Sequence, residues 1–188
     1  MKKILLISAG LMAMTATPTF AQDSGLEVHV GVSMYENNDF TGVQGRLGYM
    51  HDVGNFMIGV EGEIGTSFTE VSETVSDPDF GTVSVDLGLD SNAGIYGVFR
   101  SNRDSQFGLI GRLGYHSTTF GSTITGAGVN NLGIDLTASG FAGGVGFDYA
   151  FGETRRNVVR FDATYLDLGD FDIDDGMTVL ALSYGRRF

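Results

Sequence analysis

The chain has 188 residues, 11 of them basic and 23 acidic, and it contains no cysteine. Both lysines stand at positions 2 and 3, so the rest of the chain sets nine arginines against 23 acids, a net charge of −14. That balance argues against a nucleic-acid partner, and the lack of cysteine excludes disulfides and thiolate metal sites.

Lys2 and Lys3 open a basic stretch, Ile4 to Met14 form an apolar run, and Thr19 and Ala21 stand at the −3 and −1 places before Gln22. The run is about half the ~20 residues of a spanning helix, so residues 1–21 read as a cleavable signal peptide. Residues 22–188 then form one exported domain. Glycine is abundant, at 29 residues against two prolines, and no low-complexity run accompanies it. Such a composition suits tightly curved strands.

Eight segments then alternate with a period of two, and no useful stretch shows a helical period. Residues 25–35 set Leu26, Val28, Val30, Val32 and Met34 against Glu27 and His29. Residues 42–51 set Val43, Leu47 and Tyr49 against Gln44 and Arg46. Next, Phe56, Ile58, Val60 and Ile64 oppose Glu61 and Glu63. A long fourth segment, 82–100, sets Val83, Val85, Leu87, Leu89, Ile95 and Phe99 against Asp86, Asp90, Asn92 and Arg100. The fifth, 106–116, opposes Phe107, Leu109, Leu113 and Tyr115 to Arg112 and His116. The sixth, 138–151, opposes Phe141, Val145, Phe147 and Tyr149 to Asp148. The seventh, 158–166, opposes Val159, Phe161 and Tyr165 to Arg160 and Asp162. The eighth is VLALSYGRRF, in which Leu180, Leu182, Tyr184, Arg186 and Phe188 share one face and Arg187 lies on the other.

The connections near 52–55, 101–105 and 152–157 are short and turn-like. Those near 67–81, 117–137 and 167–176 are long, with a modest one near 36–41. Short turns at one end and long loops at the other are the pattern of an eight-stranded antiparallel transmembrane β-barrel.

A soluble barrel would put its charged face in water; a membrane barrel turns that face inward. By parity, the acids Glu27, Glu61, Glu63, Asp86, Asp90, Asp148 and Asp162 share the polar faces with Arg46, Arg100, Arg112, Arg160 and Arg187. With arginine as the only cation, this set reads as a buried ion-pair network filling a narrow lumen. Its expected core is Glu27, Arg46, Glu61, Glu63, Asp86, Arg112, Asp148, Arg160 and Asp162. The seven acids on the polar faces outnumber their five arginines by two, which leaves the full set unbalanced. Arg186 on the apolar face is tolerable near an interface, where it costs ~0–1 kcal/mol.

The signal peptide, the eight strands, GRLGY at 45–49 and 111–115, and the terminal aromatic residue resemble the outer membrane protein β-barrel domain family of Gram-negative bacteria. These are small porin-like surface proteins with a barrel of the OmpA type. The resemblance implies location in the outer membrane. It also implies that Leu180, Leu182, Tyr184 and Phe188 form a closing-strand signal read by the barrel-insertion machinery. Arg186 departs from that pattern, where an apolar or aromatic residue is commoner. Outer-membrane lipid and lipopolysaccharide are the implied surroundings, and the ligand of the loops is left open.

Other constellations argue for less. A lipid-modifying enzyme would need a His and a Ser two positions apart on one face, but His116 is adjacent to Ser117 and the two point oppositely. No catalytic site, cofactor motif or resident metal site is expected. DFDIDDG at 170–176 alternates Asp170, Asp172 and Asp174, but its glycine comes one place late and position 12 is Ala181. Weak divalent-cation binding at acidic loops is the most it suggests. The expected role is structural or interactive, through envelope integrity and exposed loops. The alternatives are a narrow porin-like channel for small or hydrophobic solutes and, of another class, a lipid-modifying enzyme.

Overall fold

The computed structural model describes residues 24–35, 40–77, 81–101, 105–126, 129–169 and 176–188. The signal-peptide reading of residues 1–21 and the acidic run 170–175 lie outside these residues.

Nine strands follow one another: β1 (Ser24–Tyr35), β2 (Phe40–Val53), β3 (Phe56–Ser67), β4 (Glu70–Asp77), β5 (Gly81–Ser101), β6 (Phe107–Gly126), β7 (Val129–Phe151), β8 (Asn157–Leu166) and β9 (Met177–Arg187). All pairings are antiparallel. Eight strands close a ring: β3 skips β4 and pairs with β5 from Phe56↔Ser101 to Gly65↔Asn92, and β9 closes on β1 from Glu27↔Arg187 to Tyr35↔Val179. Closure removes sheet edges, which is how strands cross a membrane without unpaired backbone groups. The β2–β3 turn is tight because Gly54 takes φ +77°, a conformation that a side chain would strain.

Outward side chains on the ring are apolar and uncovered. Phe141 and Val145 are each 70% exposed and Leu113 is 69% exposed. On β7 this row runs from Phe141 to Phe151. At ~3.3 Å per residue and a tilt of ~40° it rises about 25 Å, the height of the apolar band of an outer-membrane barrel. Aromatic neighbours gather towards the short-turn end, with Phe56 on Phe99 at 5.5 Å, Phe107 on Tyr149 at 4.8 Å and Phe147 on Phe161 at 5.6 Å.

The structure departs from the sequence expectation in two places. The segments near 67–81 and 117–137 are not simple loops. β4 pairs with the first half of β5, while β6 and β7 continue past the ring to Gly126 and from Val129. Together these four extensions form a sheet that stands above one side of the barrel. The second departure is a bulge in β5 between Leu89 and Ser91. One extra residue reverses the parity of everything before it. Leu89, expected to face outward with Ile95 and Phe99, is therefore inward and 1% exposed. Asp86 and Asp90, expected inward, face outward: Asp86 accepts a hydrogen bond from Ser72 at 2.5 Å, and Asp90 lies against Gly121.

Candidate functional site

With Asp86 and Asp90 turned outward, the lumen network contains five acids and five arginines, and its charges balance. They form one connected chain. Arg100 meets Asp148 through two bonds, at 2.7 and 3.0 Å. Arg187 joins Asp148 at 2.8 Å to Glu27 at 2.6 Å. Arg160 joins Glu27 at 3.2 Å to Glu61 at 2.6 Å. Arg112 reaches Glu61 at 3.5 Å, Glu63 at 2.8 Å and Asp162 at 3.4 Å. Arg46 completes the system, bound at 2.8 Å to Glu63 and by a two-pronged contact, 2.7 and 2.9 Å, to Asp162. Each of the eight ring strands supplies at least one member.

The planar fork of arginine makes this possible, since each guanidinium presents several donors in fixed directions to two or three carboxylates. A lysine at Arg112 would supply one point charge where three acids need partners. Close approach also depends on missing side chains. A Cβ on Gly108 would sit 2.8 Å from both Arg100 Nε and Asp148 Oδ1. The Arg112 guanidinium lies 3.6 Å over the Tyr96 ring, which adds a cation–π contact inside the lumen.

A polar relay continues upward from the ions. Asn92 donates to Glu63 at 3.3 Å, Thr118 donates to Asn92 at 2.9 Å, and the His116 ring lies 3.1 Å from Thr118 Oγ1 and 2.9 Å from the Asp167 carbonyl. Above it, Tyr35, Phe40, Leu89, Phe120, Leu166 and Met177 fill the interior at the long-hairpin end. Leu168, just after β8, is 6% exposed and packs with them.

Of the nine expected lumen residues, the structure joins Glu27, Arg46, Glu61, Glu63, Arg112, Asp148, Arg160 and Asp162, and leaves Asp86 apart. Arg100 and Arg187 belong to the same chain and were legible as polar-face residues. Tyr96, Asn92 and Thr118 carried a weaker signal, their parity with Arg100 and Arg112. His116 and Ser117 point to opposite faces: Ser117 bonds Ser139 at 3.1 Å, while His116 is in the interior. Leu180, Leu182, Tyr184 and Phe188 share the outward side of the closing strand, where Leu182 is 50% exposed. Phe188 donates its backbone N–H to Leu26 at the seam, 2.9 Å away. Arg186 also faces outward, its guanidinium 5.7 Å from the Phe188 ring.

Similar barrels exist among solved structures. The chain is 12% identical to the N-terminal β-barrel domain of Pseudomonas aeruginosa OprF, with a TM-score of 0.53 over 89% of this chain and 98% of that one. It is 11% identical to a major outer membrane protein of Thermus thermophilus, TM-score 0.54, over 88% and 99%. Ail, the attachment invasion locus protein of Yersinia pestis, solved with the heparin analogue sucrose octasulfate, is 17% identical with a TM-score of 0.51, over 88% and 98%. At these identities the likeness shows the fold. A comparison with curated proteins gives no match. The family profile described as outer membrane protein beta-barrel domain matches residues 5–188. With its closed ring, lipid-ready exterior and charged interior, the chain belongs to that family and is a protein of the bacterial outer membrane.

Proposed function

We propose that this barrel is a closed structural and interaction protein of the outer membrane, which supports the envelope and presents its long hairpins at the cell surface. The observation that carries this reading is the balanced ten-residue ion chain linking all eight ring strands, capped by an apolar layer. An eight-stranded barrel leaves an interior just wide enough for side chains. Here the side chains that fill it are bonded to one another, so an entering ion would have to displace ion pairs and then cross the apolar layer. No catalytic role is assigned, since the His116 ring and the Ser117 hydroxyl occupy opposite faces. Short turns on the periplasmic side and hairpins outside fit the start of β1 and the end of β9, which both lie at the short-turn end. The sulfated ligand seen with Ail does not transfer readily, because no lysine or arginine lies between Arg46 and Arg100 or between Arg112 and Arg155, the stretches that contain the long hairpins. The test is single-channel conductance of the purified barrel in a planar bilayer. Absence of steady openings is expected; regular ion-selective openings would reject the closed lumen in favour of a channel.

A further inference from the structure

At the membrane boundary the strands invert their amphipathic character. Within the ring, outward residues are largely apolar and the ion pairs face inward. Above Ser91, Ser117 and Ser139 the outer face becomes polar, with Thr74 bonded to Ser84 at 3.1 Å, Ser76 to Thr82 at 3.3 Å and Thr119 to Thr137 at 3.0 Å. The opposite face, continuous with the lumen wall, becomes apolar. Val71 pairs with Leu87, Val75 with Val83, Val85 with Ile124 and Ile124 with Leu132, which makes one patch across all four extensions.

That patch is uncovered among the described residues. Val75 is 60% exposed, Leu132 50% and Ile134 40%. Since its reverse side is polar, this part of the sheet stands in water and not in lipid, so its apolar face is a surface awaiting a partner. Among the described side chains one charge sits within it: Glu73, opposite Val85 on the same face. Glu70, Asp86, Asp90 and Asp135 stand on or beside the reverse face. No basic residue lies on the four extensions.

We propose that this face binds cationic amphipathic peptides. Apolar side chains of the peptide bury against the valines and isoleucines, while a lysine or arginine reaches Glu73. The surrounding carboxylates, unopposed by any cation on the sheet, draw the peptide in and strengthen its encounter. The same field disfavours the other occupants. A second copy would bring acid against acid, and phosphate-bearing lipid or glycan would meet only negative charge. The inference rests on the reading of the protein as a surface interaction barrel, for which it specifies the partner's chemistry.

The test uses the full barrel in nanodiscs of zwitterionic lipid and a fluorescent 18-residue peptide of leucine and lysine arranged amphipathically, with empty nanodiscs subtracted. Saturable binding is expected, weakened at least tenfold by 0.3 M salt and at least tenfold by the double substitution Val85→Thr with Ile134→Thr. Glu73→Gln should weaken it severalfold. The two threonine substitutions keep β-branched side chains, and heat-dependent gel migration confirms that each barrel is folded. Binding of a leucine–glutamate peptide as tightly as the lysine peptide would overturn the proposal. So would binding unchanged in the double variant, or none above empty nanodiscs. A dimer that sediments as such and dissociates in the double variant would overturn it in favour of self-association. Conductance of the same preparation separates the two readings. A closed barrel that ignores the peptide defeats only this inference, whereas an ion-conducting one defeats the reading beneath it.

Discussion

Arg112 joins three carboxylates, Glu61, Glu63 and Asp162, and stacks on Tyr96. Removing one partner of a buried ion pair strands the other charge, at a cost of ~3–5 kcal/mol. Arg112→Ala should lower the unfolding free energy in urea, measured in lipid vesicles, by about that amount. Asp86→Ala, outside the network, should change it by no more than ~0.5 kcal/mol, as surface substitutions do. Equal effects would mean that the lumen charges are solvated and not mutually bonded. Gly108 offers a second test. Its missing side chain lets Arg100 and Asp148 meet, so Gly108→Ala should cost ~1–3 kcal/mol through overpacking. A neutral outcome in the same urea titration would show that the pair can shift aside.

Among the elements, β5 shows how much one residue can decide. Its bulge turns Val83 to Leu89 from the lipid side to the lumen side, just where the strand leaves the ring. Asp90 is the extra residue, since Leu89 pairs with Phe120 and Ser91 with Thr119; deleting it leaves a regular ladder with Leu89 still inward, where it is 1% exposed. Burial of such a side chain contributes ~1.5–3 kcal/mol, and the deletion should keep that contribution. Asp90→Gly keeps the residue count and should stay close to wild type. Thermal unfolding in detergent decides: a deletion that loses at least that much stability while Asp90→Gly does not would refute Asp90 as the extra residue of the bulge. β6 and β7 invert without a bulge, because their composition changes parity: Phe120 and Ile124 take the positions in register with Arg112 and His116, while Thr119 and Thr123 take those of Leu113 and Tyr115.

For the molecule as a whole, closure depends on β9, which joins β8 to β1. Phe188 ends its outward row and bonds Leu26 across the seam. Deletion of Phe188 should reduce the amount of protein in the outer membrane and raise a protease-sensitive periplasmic fraction. Cell fractionation and immunoblotting decide the matter, and an unchanged membrane level would remove Phe188 from the assembly signal. The intact barrel should migrate differently on gels before and after boiling, since its ring of backbone bonds resists detergent until heated.

The sequence by itself determined the architecture inside the bilayer. Period-two alternation there is enforced on every strand, because lipid demands apolar side chains on one face and a narrow lumen demands paired polar ones on the other. It also marked eight of the ten lumen ions for the network, and parity placed Arg100 and Arg187 on the same faces. Only the tertiary structure decided how those ions are joined, since partners such as Glu27 and Arg187 lie at opposite ends of the chain and meet because the ring closes. It also decided that Asp86 leaves the network and that charge inside balances. A bulge reverses facing without altering composition, so alternation counted along the sequence runs straight through it. The same limit hid the sheet above the barrel. Outside lipid the demand on the two faces reverses, and a stretch with mixed parity looks like a loop until its neighbours show which side meets water.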